Sequence, residues 1–421
     1  MASALRRFLA VLAFLLSTTP AFPQTTDVFF GGWSFRPREE GSRPAGLGGA
    51  YVAVADGVRT VTSNPAGLAL VPQSELAAGT ADLWGGVAYS LKRPQAMVPA
   101  APTAGRPTEP GAPLPCPPAR PARPFVVAVY AERSLAQQQS FSVVRAPGVV
   151  EAGELSATSE RLGASVGKGL TRWLQVGATV EWRHLRMVGG SVASAGREPL
   201  RQVTLGGDTN KPRVIVGALA TFGRAFSPTA LRLGVSYRSD LWDWSVERSA
   251  VDVVAGRITD EPRLVRVSEP AVFSVGVAWR ASDTWLLAAQ ADHIAYPAVA
   301  AALADNDGAP PDFRLRSGWE PRAGLEMSGI FPLGGYFKLR AGMRGETSGR
   351  FEYLGDDIGL RQAFRSSDLA FRGAVGASLL AEFYEKAVRF DVDMSQIVAE
   401  PRSTISAAGD RRVSFGITVR M

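Results

Sequence analysis

The sequence predicts an all-β chain: a transmembrane antiparallel β-barrel of about fourteen strands behind an N-terminal segment of different character. Three observations carry the barrel. Segments that alternate apolar and polar residues with period two recur along the 421 residues, and that period marks a strand with two different faces. From the third such segment on, the connections alternate short and long. Beyond the N-terminal leader no apolar run reaches the ~20 residues of a membrane helix, and a closed barrel is the other architecture that satisfies its own backbone in lipid.

Residues 1–24 read as a secretory leader. Arg6 and Arg7 give the basic region, residues 8–16 the apolar one, and Thr19-Pro20-Ala21 the cleavage area. The leader holds two arginines and no acid, so its loss takes the net charge from +7 to +5 (7 − 2). The remaining Lys and Arg are scattered, which argues against nucleic acid as a partner. Cys116 is the single cysteine, which excludes an intramolecular disulfide and any multi-cysteine metal site. No cofactor is expected.

Residues 25–72 form the hatch segment and residues 73–421 the barrel. In residues 173–187, Leu174, Val176, Ala178, Val180 and Trp182 share one face against Gln175, Gly177, Thr179, Glu181 and Arg183. The same alternation marks strands near 74–83, 86–92, 125–133, 158–169, 173–187, 212–223, 231–239, 270–280, 285–293, 319–328, 336–345, 369–383, 386–395 and 411–421. Between them, long connections are expected at 134–157, 188–211, 240–269, 294–318, 346–368 and 396–410. Short turns on one side and long loops on the other are the asymmetry of outer-membrane barrels, which a soluble sandwich or propeller has no reason to keep. Phe222, Trp279, Trp285, Phe337 and Phe383 lie on apolar faces beside the short turns, where an interfacial aromatic girdle belongs. Trp242 and Trp244 break the parity of Leu233, Val235 and Tyr237, as a bulge near Ser239-Asp240 or a loop-facing pair would cause.

Catalysis is not expected. His184 and His293 are the only imidazoles, and both share parity with apolar faces near strand ends. No Gly-x-Ser-x-Gly elbow and no metal-ligand spacing accompanies them. Residues 94–124 hold 11 of the 29 prolines; proline cannot donate to a ladder, so they form an extended linker insertion, and an envelope-protein partner is a conceivable use of it. Arg322, Lys338, Arg340 and Arg344 fall on the lumen face, where they either attract an anionic head group or simply hydrate the interior.

The stretch from Gly46 to Leu70 is too broken by Gly and Pro for a long helix or one strand. It opens on Gly46, Gly48 and Gly49, runs through Ala50, Tyr51, Ala53 and Ala55 to Asp56, and ends on Asn64, Pro65, Ala66, Gly67 and Leu68. This resembles the N-terminal region of the FadL-like outer-membrane transport family, and equally of the related PorV-like barrels. Gly57 stands where a second acid often follows. The resemblance implies an outer-membrane location among lipid, a hatch folded into the barrel, and passive transport of small hydrophobic molecules, possibly fatty-acid-like, that leave sideways through the wall. Its PorV-like side implies instead a scaffold or secretion-associated barrel. Asn64 is suited to bonding neighbouring backbone and Pro65 to fixing chain direction.

Overall fold

The computed structural model describes residues 41–71, 74–80, 83–91, 125–146, 148–223, 230–254, 256–296, 313–330, 336–347, 349, 351–356, 361, 370–383, 386–399 and 412–420. The leader, hatch residues 25–40 and the proline-rich 94–124 lie outside the described residues.

The chain enters through a short helix α1 (Ser42–Gly46) and two 3-10 turns, Val58–Thr62 and Pro65–Leu70. Strands follow: β1 (Glu75–Gly79), β2 (Leu83–Ser90), β3 (Phe125–Ala146), β4 (Val149–Gly169), β5 (Leu174–Ala195) and β6 (Glu198–Phe222). Next come β7 (Leu231–Arg238), β8 (Leu241–Asp252), β9 (Arg257–Glu269), β10 (Ala271–Arg280), β11 (Trp285–Ala295) and β12 (Phe313–Arg314). The last are β13 (Gly318–Ile330), β14 (Tyr336–Glu346), β15 (Glu352–Tyr353), β16 (Ala370–Phe383), β17 (Lys386–Ala399) and β18 (Arg412–Arg420).

Fourteen of these close into one antiparallel ring: β1 to β7, β10, β11, β13, β14, β16, β17 and β18. Closure is made by β1 on β18, with Glu75 opposite Arg420. No edge is left in the ring, which lets a sheet stand in lipid. The remaining strands sit above it: β8 and β9 form a hairpin on the upper half of β6, and β12 pairs with β15.

Alternation sorts the faces as expected. On β5, Gln175, Thr179, Glu181 and Arg183 are buried, whereas Val180 and Trp182 are 56% and 55% exposed on the outside. On β18, Val413, Phe415 and Ile417 point outward against buried Ser414 and Thr418. Polar residues inside and apolar residues outside invert the soluble pattern, and contiguous exposed apolar surface of this kind marks a lipid-facing belt. Phe222, Trp279 and Trp285 are outward and exposed beside the short turns, and Phe337 is half-buried there. The side chain of Phe383 lies outside the described residues. His184 and His293 also face outward, the latter against Trp319 with ring centroids 5.1 Å apart.

Four expectations are corrected. Residues 134–157 and 188–211 are not loops: β3 and β4 run on to pair Val144 with Val150, and β5 and β6 to pair Ala195 with Glu198. Residues 240–269 are the β8–β9 hairpin. The parity break at Trp242 and Trp244 arises because the chain leaves β7 at Arg238 and starts a new strand, with a register shift between Leu241 and Trp244. The first hairpin turns three residues early, with Gly79 paired to Trp84, so Trp84 belongs to β2 rather than to the turn.

Candidate functional site: the hatch and its seat

The described hatch, residues 41–71, fills the lumen. Leu47, Ala50, Val52, Val54, Ala55, Val61 and Leu68 are each at most 2% exposed, so most of its apolar side chains are removed from water. Two glycines set its path. Gly48 (φ +62°) and Gly57 (φ +84°) hold backbone conformations that L side chains rarely adopt. Gly57 also lies against the Glu75 carboxylate, whose Oε2 accepts the Val58 N–H at 2.9 Å. A second acid after Asp56 therefore has neither the backbone nor the room, and the acid at this point comes from β1 instead.

Asn64 is the joint of the segment. Its Oδ1 accepts the Ala66 N–H at 3.2 Å, capping the turn that Pro65 starts. Its Nδ2 donates to Val52 O within the hatch at 2.8 Å and to Ala218 O of β6 at 3.1 Å. One fully buried amide thus ties the two halves of the hatch to each other and to the wall.

The wall receives the hatch on glycine. A Cβ added at Gly167, Gly177, Gly217, Gly234, Gly276, Gly324 or Gly342 would come under 3.0 Å from a hatch atom, most often backbone. These residues come from β4, β5, β6, β7, β10, β13 and β14. On β11 the place is taken by Gln290, whose Oε1 accepts both the Tyr51 and the Val52 N–H at 2.8 Å. Side chains of the wall then satisfy hatch carbonyls: Thr179 Oγ1 donates to Val61 O (2.8 Å), Arg232 to Val54 O (2.9 Å) and Arg238 to Thr62 O (2.7 Å). Backbone pressed on backbone leaves no space for a side chain to pivot, which fixes the hatch on this side.

An ionic cluster holds the hatch's first turn. Arg43, 2% exposed, donates to both oxygens of Glu326 on β13 at 3.0 and 3.1 Å and also bonds Asp56. Tyr51 donates its hydroxyl to Asp56 O at 2.5 Å. Glu326 additionally accepts from Lys338 at 2.9 Å and Arg340 at 3.0 Å, and Arg340 reaches Asp391 at 2.9 Å and Asp393 at 3.3 Å. Arg322 sits apart on Asp292 (2.6 Å) and Glu320 (3.4 Å), and Arg344 on Glu346 (2.5 Å). The four lumen cations read from the sequence all point inward, two join the hatch cluster, and each is partnered by acids. Among the predicted hatch residues, Gly46 packs against Asp393 and Arg340, Gly48 against Met343 and Ala323, Asp56 against Arg43, and Ala66 against Asn64. Gly49, with φ +81°, completes the turn after α1.

Opposite the glycine belt the packing changes character. Behind β1 to β3 the hatch meets side chains: Arg59 lies over the Trp84 ring at 4.4 Å, and Trp84 stacks beside Tyr130 with centroids 6.3 Å apart. Gly79 and Gly416 leave the space in which the Arg59 guanidinium lies. A cavity of about 80 Å³ remains against the hatch, lined by Tyr51, Val52, Val272 and Ile294 on its apolar side and Arg238, Arg322 and Asp292 on its polar side. A cavity that holds benzene measures roughly 150 Å³, so this one, bordered by described residues, is too small for an aromatic ring as it stands. Sequence reasoning missed Arg43, Glu326, Gln290 and the glycine belt; the one signal for the belt was a glycine recurring on the polar, inward parity of successive strands. Among the described residues no group of acids, His or Cys has the arrangement of a metal site.

Fold and site together define a class: a closed fourteen-stranded barrel with its N-terminal segment seated inside as a plug. Among solved structures, the chain is similar to a Pseudomonas aeruginosa FadL homologue, with TM-score 0.58 and 11% identity over 92% of this chain and 99% of that one. It is also similar to the Ralstonia pickettii toluene transporter TbuX (TM-score 0.51, 13% identity, 91% and 97% covered) and to the P. putida toluene transporter TodX (0.50, 12%, 90% and 96%). Two of these three are described as transporters and none as an enzyme. At these identities the likeness is one of fold, and the fold is the FadL type. No family model matches the sequence, and no curated protein does.

Proposed function

We propose that the protein is a passive channel of the outer membrane for small hydrophobic molecules, with the hatch as its closing element. The observation that carries this reading is a lumen shut by a seated segment inside a barrel whose outer belt is apolar. A channel for water-soluble solutes has no need of such a plug, whereas a hydrophobic solute requires a path that excludes bulk water. Similarity in fold to toluene transporters supports the class of solute.

The short first strand supports an exit on its side of the barrel. β1 has five residues, against the ~9–11 of a membrane-crossing strand, and behind it stands the Arg59–Trp84–Tyr130 stack. Side chains swing aside more easily than backbone wedged on glycine, so this is the side on which the closed lumen opens. Liposomes with and without the purified barrel test the reading: the barrel should speed efflux of a monoaromatic hydrocarbon above the protein-free rate and leave that of a sugar of similar size at its protein-free rate, and an equal increment for both, or none for the hydrocarbon, would overturn it.

A further inference from the structure

A second site lies on the outside of the barrel. On β5 the outward ladder Leu174, Val176, Ala178, Val180 and Trp182 covers nine residues, roughly the length a tilted strand needs to cross the hydrocarbon. Above it the outward residues become polar on three adjacent strands at one level. Trp182 is paired with Leu162 and Leu162 with Ala131, while the next outward rung holds His184, Glu160 and Arg133. This level is the boundary between acyl chains and head groups at the end of the barrel away from the chain termini.

Just below that boundary the surface is hollowed into an open groove of about 490 Å³. Its floor is Gly85 and Ala131, its sides are Leu162 and Trp182 on the same rung, 62% and 55% exposed, and Leu83, 60% exposed, closes it above, beside Arg133. The space above Gly85 is empty, with no atom within 4 Å of an added Cβ. At its head stands Arg133, 65% exposed, in a 3.3 Å pair with Glu160, itself 52% exposed. An exposed pair of this kind is weak, so the guanidinium exchanges its carboxylate for a phosphate at little cost.

We propose that this groove binds a phospholipid of the distal leaflet, with one acyl chain along Gly85 and Ala131 and the lipid phosphate on Arg133. The place commits the occupant: Gly85, Ala131, Leu162 and Trp182 line the groove on the outward, apolar rung, Arg133, Glu160 and His184 line it on the rung above, and inward Glu132 and Arg161 border it from behind, so its lower part meets acyl chains and Arg133, the outward arginine of the lining, stands at phosphate height. This inference rests on the membrane reading above but not on transport.

Native mass spectrometry of the mature chain, purified in non-ionic detergent, tests it with added phosphatidylglycerol or with dioleoylglycerol, which has the chains without the phosphate. The expected result is one retained phosphatidylglycerol and no retained diacylglycerol. Gly85→Leu, which fills an open space and leaves the wall undisturbed, should abolish retention. Arg133→Ala should weaken it about tenfold, and Ala323→Leu, outward on the opposite wall, should leave it unchanged. Heat-modifiable migration on gels shows that each variant is folded. Equal retention by wild type and Gly85→Leu, or of both lipids alike, overturns the site. A chain that stays soluble without detergent overturns the membrane reading itself and the site with it.

Discussion

Arg43 and Glu326, 283 positions apart in the chain, form a two-pronged ion pair in the lumen at 3.0 and 3.1 Å. Glu326 is the shared anion of Arg43, Lys338 and Arg340. Removing it takes the shared acid from three cations that are each at most 24% exposed, and although Arg43 keeps Asp56 and Arg340 keeps Asp391 and Asp393, breaking a buried pair costs about 3–5 kcal/mol. Glu326→Ala should therefore release α1 from its seat while the strands, held by their own ladders, stay closed. The expected outcome is a heat-modifiable barrel with conductance in planar bilayers raised several-fold. Arg43→Ala should do less, because Glu326 keeps two partners. Conductance equal to wild type in both variants would show that this pair does not hold the plug.

Strand positions were legible because lipid on one side and water on the other force a strict alternation within the membrane. Where β3 to β6 rise out of it, the outward face no longer needs apolar residues, the contrast fades into runs such as Gln137-Gln138-Gln139, and the segments read as loops. The hatch was legible only through the resemblance of residues 46–70 to the FadL-like family; Asn64 and Pro65 by themselves signal a turn, whose chemistry is local. Its seat was not. Glycine carries no hydropathy signal, so Gly217 and Gly342 read as weak strand residues, and their close approach to the hatch exists only once the ring has closed. The Arg43–Glu326 pair is likewise set by closure, which no local spacing encodes. Gly57 read as a missing acid; its positive φ and the Glu75 carboxylate beside it give the reason.

The tie between Asp56 and Arg43 should hold across the ordinary pH range. Burial works to raise the Asp56 carboxyl, but Arg43 and then Lys338 outweigh it and hold the group below its ordinary value of 3.8. A folded value below the unfolded one means that the contribution is full above about pH 4 and is lost only as pH falls further, through the folded value. The excess conductance of Asp56→Asn over wild type should thus be constant between about pH 8 and pH 5 and vanish only in strong acid. A difference between the two that disappears near neutrality would contradict the assignment.

Deleting 94–124 separates channel from scaffold. If the protein conducts hydrophobic solutes through the lumen, the shortened chain should keep its efflux rate, since β2 and β3 already pair from Leu83 with Arg133 to Ser90 with Val126. If the insertion captures envelope proteins, crosslinking in whole cells should lose its partners while efflux survives. Loss of efflux with the barrel intact would place the insertion in the conduction path, contrary to the channel reading.

The glycine belt offers a lever that touches the wall alone. Gly217 lies against the Asn64 side chain and Pro65, and a valine there must push either β6 or the hatch. Overpacking of this sort costs about 1–3 kcal/mol. β6 is held on both sides, by β5 and β7, whereas the hatch is held by scattered contacts, so the hatch should yield. Gly217→Val should raise protease access to residues 41–71, whereas Gly206→Val, where an added Cβ meets nothing within 4 Å, should not. Equal protection of both would mean the belt tolerates side chains.

Replacing Asn64-Pro65 with Ala-Ala removes the joint without adding bulk. The change deletes the cap, about 1 kcal/mol, and leaves the buried Val52 and Ala218 carbonyls without the Asn64 donor, at about 1–3 kcal/mol for a buried group left unsatisfied. It also frees the backbone that Pro65 had restricted. Because these losses fall within the hatch and at one point of β6, the ring should assemble, and the plug should sample open arrangements that the wild type does not. The measurable outcome is raised bilayer conductance with faster efflux of hydrophobic probes from liposomes. An assembled barrel with unchanged conductance and efflux would show that the motif does not gate. A barrel that fails to assemble would assign Asn64 and Pro65 to folding of the wall, with the hatch serving as the core on which the strands close.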